Sequence, residues 1–243
     1  MTHWITADWP APAHIKAATS FRTGGVSTGC FSSLNLALHV GDSAESVWEN
    51  RRAIKRMLNL PAEPAWLQQT HSTQVVNADN MSALPNADAS YAHDNETVCA
   101  VMTADCLPIL LCDVHGTTVA AIHGGWRGLL HGIIQNTVQH MPAVELLAWL
   151  GPAIGPNCFV VGRDVQCAFV EQSVLFREAF VSTAPDKYLA DIYKIARIIL
   201  NNVGVRRIYG GSYCTVTQQA QFFSYRRDGQ TGRMATLIWK QTT

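Results

Sequence analysis

Between residues 98 and 122 three apolar runs follow one another, at 98–103, 107–112 and 118–122, with no helix-length segment between them. Connections this short cannot carry a helical crossover to a parallel neighbour, which needs roughly a dozen residues, and so argue against a doubly wound parallel sheet. Further strand-like runs, rich in β-branched or aromatic residues and bounded by turn signals, lie at 15–21, 65–69, 146–150 and 235–239. Helical spacing is clearest at 126–140, where Leu129, Leu130, Ile133, Ile134 and Val138 share a face, and at 188–203, with Ile192, Ile195, Ala196, Ile199 and Leu200. Weaker helical patterns lie at 44–58 and 164–172. The expectation is an α+β fold, with mixed or antiparallel sheet layers and flanking helices, rather than a doubly wound parallel sheet. No linker-like stretch or fixed-period repeat interrupts the chain, so residues 1–243 read as a single domain.

Hydrophobic residues make up 48% of the chain and charged residues 15%, which excludes disorder and a coiled coil. Lys plus Arg (18) balances Asp plus Glu (18), so no long-range field draws the molecule to nucleic acid or an anionic membrane. The apolar neighbourhood at 98–112 is broken by Asp105 and Pro108, short of the ~20 residues that a membrane span needs. The first residues carry no basic segment followed by an apolar run, so no secretory signal is expected and the cytoplasm is the default location. Seven scattered cysteines suit reduced thiols or a metal better than a disulfide framework. The expected state is a monomer or homodimer acting on small molecules.

The hairpin carries the first chemistry. A four-residue loop, Asp113-Val114-His115-Gly116, would pair Cys112 with Thr117 and so set Cys106 opposite His123. Opposed residues on one face hold their Cβ atoms ~4.5–5.5 Å apart, a separation at which thiolate and imidazole can share an ion. Pro108 is the weak point of this register, because proline cannot donate to a ladder. A third ligand is offered by His71, which follows the apolar run at 65–69. Two histidines and a thiolate leave one position open, the ligand count of catalytic zinc, although the same set also suits copper. The bland alternative is that all three are packed core residues.

Other polar segments are candidate binding elements. Gly124-Gly125-Trp126-Arg127-Gly128 opens the first clear helix, so Gly125 and Arg127 are candidates for an anion, or the segment is an ordinary glycine turn. Arg22, in Arg22-Thr23-Gly24-Gly25-Val26-Ser27, and Asn35, in Ser33-Leu34-Asn35-Leu36, stand in an extended polar loop of the kind that often binds ligands. Phe222-Phe223-Ser224-Tyr225-Arg226-Arg227-Asp228 offers aromatic faces and guanidiniums, with Arg226 as the chosen contact, or it is an amphipathic edge strand. Asp105, next to the proposed thiolate ligand, is a candidate catalytic acid or base, with turn capping as the alternative.

Eight motifs in order resemble the YfiH, or laccase-domain, family: the segments beginning at Arg22 and Ser33, Gly41-Asp42, Gln69-Thr70-His71, Thr103-Ala104-Asp105-Cys106-Leu107-Pro108, the segment from His123 to Gly128, Gly151-Pro152-Ala153-Ile154-Gly155-Pro156 and Thr231-Gly232-Arg233-Met234. The resemblance covers nearly the whole chain. It implies an α+β fold similar to that of cysteine-dependent toxin deamidases, and zinc on the residues matching His71, Cys106 and His123. It also implies phosphorolysis of adenosine, inosine and methylthioadenosine with deamination of adenosine to inosine, and so purine nucleosides and phosphate as partners. The chain departs from the family pattern at Gly124, where alanine is usual, and at Val160, where glutamate is common.

Two other functions compete. The family's older label is multicopper polyphenol oxidase, but the nine histidines never occur as His-x-His, which leaves few organised ligands for a coupled copper cluster. A cysteine hydrolase with Cys106 as nucleophile and His123 as base, of the kind linked to editing of cell-wall peptide precursors, is the stronger competitor. A binding module without turnover is the third.

Overall fold

The computed structural model describes residues 3–81, 83–141 and 145–241. In chain order its strands are β1 (Trp4–Thr6), β2 (Ile15–Ser20), β3 (Val75–Asn77), β4 (Ala89–Ala92), β5 (Val98–Thr103), β6 (Leu107–Asp113), β7 (Val119–Gly124), β8 (Leu146–Leu150), β9 (Val160–Gly162), β10 (Phe180–Ala184), β11 (Lys187–Ala190), β12 (Arg207–Gly210) and β13 (Met234–Lys240). The helices are α1 (Ala44–Met57), α2 (Trp126–His131), α3 (Ile133–Gln139), α4 (Arg163–Gln172), α5 (Ile192–Asn202) and α6 (Tyr225–Asp228). None is long and apolar enough to cross a membrane.

Three sheets form, in the orders β1-β2-β13-β5, β10-β11-β9 and β12-β8-β6-β7-β4-β3. The first two are antiparallel; the third is mixed, with parallel pairs β12/β8 and β3/β4 at its edges. The fold is therefore α+β, as expected. The two larger sheets stack face to face: Leu110, Cys112, Ala121 and Trp149 of one meet Ala17, Val101 and Ile238 of the other. Alternate residues serve the outer faces. Ile109, Leu111 and Ile122 pack on α2, α3 and α5, while Ala100, Leu237 and Trp239 pack on α1 and Leu34, Leu36 and Trp66. Both sheets are thus covered on both sides, which explains why β5, β6 and β13 are apolar throughout rather than alternating. Each Leu or Ile buried there stabilises the fold by about 1.5–3 kcal/mol.

Several sequence expectations need correction. The β6/β7 hairpin pairs Cys112 with Val119, not Thr117, and Pro108 with His123. The cause is Asp113, whose carboxylate accepts from the His115 N–H, the Thr117 hydroxyl and the Thr118 N–H and so widens the loop. Pro108 is tolerated because it lies just past the paired end of β6 and β8, where its missing N–H breaks no pair with β8 and its carbonyl still accepts from Gly151. The single helix expected at 126–140 is two, broken at Gly132, whose φ of 101° lies in the left-handed region that favours glycine. Residues 65–69 make only isolated bridges, Ala65 with Cys99 and Gln68 with Asn86. At 188–203, strand β11 comes first and Asp191 caps α5 by accepting from the Lys194 N–H.

Candidate metal centre and active site

The site forms where β5 turns into β6, β7 runs into α2, and the segment after residue 69 crosses both strand ends. Asp105 occupies the β5/β6 turn with φ of 90°, strained for a residue with a side chain, and directs Cys106 into a cleft. Its carbonyl accepts from Ile154 at 2.9 Å. Its carboxylate accepts from the Thr215 hydroxyl at 2.5 Å and the Arg226 N–H at 2.6 Å. With both oxygens engaged, Asp105 is a brace that ties three loops together.

His71, Cys106 and His123 converge: their ligand atoms all lie within 4.8 Å of one another, and Cys106 Sγ is 3.7 Å from His71 Nε2. The convergence survives the change of hairpin register because a shift of two residues keeps a side chain on the same face, whereas a shift of one would have turned Cys106 away. The imidazoles meet edge to face with centroids 4.8 Å apart.

Asp88, which the sequence reading did not single out, organises both histidines from a fully buried position. Oδ1 accepts from the His71 N–H at 3.0 Å and contacts His123 Nδ1 at 2.7 Å. Oδ2 accepts from the N–H groups of Thr70 (3.2 Å) and Ser72 (2.6 Å) and from the Ser72 hydroxyl (2.7 Å). These bonds hold His71 in its left-handed conformation, φ 60°. Burial opposes ionisation of Asp88, but the bonds from His123 and Ser72 outweigh it and hold the carboxyl at about 2. With Nδ1 engaged, His123 presents Nε2 to the cleft, the orientation that outer carboxylates impose on metal-binding histidines.

The donor set fits a metal ion. A Cβ added to Gly125 would lie 2.6 Å from His71 Cδ2 and 3.4 Å from Cys106 Sγ, so glycine is what leaves room for the His71 ring beside Cys106. Burial raises the Cys106 pKa, yet the adjacent His123 and His71 outweigh it and bring the thiol to about 6, the thiolate that a metal requires. His123 is correspondingly raised: burial acts against it, but Cys106 and Asp88 prevail.

Two cavities share Ala104, Cys106 and Tyr225. One, of about 370 Å³, contains the His-Cys-His group with His39, Gln69 and Arg233. The other, of about 260 Å³, is lined by Trp126, Arg127, Phe159 and Arg226. Burial, reinforced by Arg233 and Arg51, lowers the His39 pKa and favours its neutral form. Arg127 stacks on Trp126 at 4.3 Å, and Arg226 lies 5.4 Å from the Phe159 ring centroid while donating to the Val160 carbonyl. A larger cavity of about 680 Å³ beside α1 shares no lining residue with these two.

Two expected binding residues line neither cavity of the site. Asn35 is fully buried, its amide donating to Ala37 and Asp42 and accepting from the N–H groups of Ala37 and Arg233. Arg22 donates to the Ser32 and Gln219 carbonyls and stacks on Phe223. Both stabilise loops. Arg127 and Arg226 line the second cavity, and Gly125 packs against His71 and Cys106; α2 has only six residues, too short for a strong terminal dipole, so the positive charge at this wall comes from the side chains rather than the helix end. Arg233 and Tyr225, by contrast, lay unassigned within quoted motifs, whereas Asp88 had no local signal at all.

Residues 16–241 match the family model described as multi-copper polyphenol oxidoreductase laccase. A purine nucleoside phosphorylase of Pseudomonas aeruginosa is 49% identical, covering 99% of this chain and 100% of that protein. Purine nucleoside phosphorylase YfiH of Escherichia coli is also 49% identical, covering 98% and 99%. A crystal structure of a Neisseria meningitidis protein superposes with a TM-score of 0.96 at 50% identity, over 99% of this chain and 100% of that one. YlmD of Geobacillus stearothermophilus superposes with a TM-score of 0.91 at 30% identity, over 99% and 97%. With near-complete coverage in both sequence and structure, the chain belongs to the laccase-domain family that includes the YfiH proteins.

Proposed function

We propose that the chain is a zinc-dependent purine nucleoside enzyme: it cleaves adenosine, inosine and methylthioadenosine with phosphate to free base and the corresponding ribose 1-phosphate, and deaminates adenosine to inosine. The observation that carries this reading is the convergence of His71, Cys106 and His123 in one cavity, with Cys106 also lining the second. The relatives named purine nucleoside phosphorylase support the substrate class. His71, Cys106 and His123 would hold the zinc, which would supply Lewis acidity at the cleft. Trp126, Phe159 and Tyr225 offer aromatic faces to a purine, and Arg127 and Arg226 offer forked donors to phosphate. Joined, the cavities fall within the range that encloses small ligands. Asp105 is a positioning residue, since its carboxylate holds Arg226 and Thr215 in register.

Chromatography of adenosine incubated with protein and phosphate, with and without chelator, tests the reading. Adenine and ribose 1-phosphate should form only when phosphate is present, inosine should form alongside, and chelation should abolish both. Absence of all three products overturns it.

One observation favours a second reading. Cys106, His123 and Asp88 form a connected thiol, imidazole and carboxylate, the arrangement of a cysteine hydrolase. An acyl group trapped on Cys106 in chelated protein, detected by mass after incubation with an electrophilic peptide analogue, would support that reaction instead. The oxidase reading is weaker: among the described residues a single group of three metal-ligating side chains assembles, and a coupled copper cluster needs more.

A further inference from the structure

Two cysteines outside the proposed reaction meet beside the Phe159 wall of the cleft. Cys158 lies in the turn of residues 155–158 and donates its N–H to the Gly155 carbonyl at 3.0 Å. Cys214 packs on that turn so closely that a Cβ on Gly155 would lie 3.0 Å from both its Cβ and its Sγ. The Gly155 N–H donates to Cys214 Sγ at 3.3 Å. Val216 and Thr217 bring further N–H groups and the Thr217 hydroxyl to the Cys214 sulfur, and the Cys158 thiol neighbours it. Both cysteines are partly exposed.

We propose that Cys158 and Cys214 form a peroxide-reactive dithiol, in which Cys214 is oxidised first and Cys158 resolves it to an intramolecular disulfide. Converging N–H groups make a nest for an anion, here the Cys214 sulfur. Burial raises the Cys214 pKa, but these bonds outweigh it and lower the value, whereas burial and the neighbouring Cys214 raise that of Cys158. One partner therefore has the thiolate character that attacks peroxide, and the other retains its proton. Cys99 and Cys112, buried and pushed up to about 12, are inert by the same criteria.

The Cys214 thiolate attacks one oxygen of hydrogen peroxide; an S–O bond forms, the O–O bond breaks, and the departing hydroxide takes up a proton to leave as water. Cys158 sulfur then attacks the sulfenic sulfur; an S–S bond forms, the S–O bond breaks, and the Cys158 proton leaves with that oxygen as a second water. Two thiols lose two electrons and one peroxide gains them. The link would fasten the turn preceding Phe159, which lines the cleft, to the segment holding Thr215, which bonds Asp105.

Full-length, metal-loaded protein is treated with graded hydrogen peroxide, blocked with iodoacetamide, digested without reductant and read by mass spectrometry. A peptide pair joining Cys158 to Cys214, lighter by two hydrogens, should appear at doses about tenfold below those that oxidise Cys30. Cys158→Ser should replace the link with a dimedone-trapped sulfenic acid on Cys214, and Cys214→Ser should leave Cys158 unmodified at that dose. Both cysteines carrying the iodoacetamide label at doses that oxidise Cys30, or Cys158 linked to a different cysteine, would overturn the proposal on the wild-type protein alone, whatever the variants do.

Discussion

Two of the buried polar networks among the described residues contrast: the one around Asp88 faces the cavity of the candidate metal centre, and the one around Asn50 lines none of the cavities described above. Around Asp88, one carboxylate gathers the backbone of residues 70–72 and the His123 ring, and the ligand atoms it orients turn toward Cys106 at the cleft. Around Asn50, the amide donates to Ser27, Ser33 and Asn35 and accepts from Val26, while Asp42 accepts from Ser27 and Asn35. That second network is closed. A Cβ on Gly25 would lie 2.3 Å from Asn50 Oδ1, so not even a methyl group fits between its parts. A polar loop in a sequence can build either kind of network, and whether its polar atoms face a cavity separates a candidate binding site from a stable loop.

Cys106→Ser should break the open network most severely, reducing zinc affinity by more than the roughly 10–100-fold that outer residues contribute and abolishing nucleoside turnover, as read by metal analysis and product chromatography. Asp88→Asn leaves all three ligands in place but weakens their orientation; zinc affinity measured by competition with a chelator should fall about 10–100-fold. A variant that binds zinc normally would remove Asp88 from the site. In chelated protein, iodoacetamide should label Cys106 with a half-maximal rate near pH 6. The sign follows from the lowered pKa: thiolate dominates above pH 6, roughly nine-tenths at pH 7, and is lost as pH falls, whereas an ordinary thiol reaches half only at about 8.5. A midpoint near 8.5 would separate Cys106 from the imidazoles. Asn50→Ala should have the smallest effect on the site: stability to urea falls by about 1–3 kcal/mol as buried partners lose their bonds, while zinc per chain is unchanged. Loss of zinc in that variant would join the two networks.

Much of the architecture was legible because apolar runs and helical spacing reflect burial directly. Strands β5 and β8 match the expected bounds, and α1, α4 and β13 differ at their ends by a residue or two. Short edge strands such as β3, β9 and β12 were not legible, because three or four residues carry too little pattern. At the site, Cys106 and His123 were paired on a hairpin register that is off by two, and the pairing survived through the period-two rule rather than through the loop chosen. Asn35 and Arg22 line neither cavity of the site, which the sequence does not reveal because a polar loop looks the same whether it faces a ligand or its own backbone. Asp88 was missed because its partners lie 16 to 35 residues away in the chain.

From the amino-acid order alone follow the α+β class, the absence of a net charge that would steer polyanions, and the three candidate ligands, since these depend on local periodicity, composition and residue chemistry. Tertiary structure alone decided that Asp88 aims the histidines, that Asp105 braces loops and that Cys158 meets Cys214. Those outcomes depend on which donor finds which acceptor across distant segments, and hydrogen-bond geometry over such separations exists only once the two large sheets have packed.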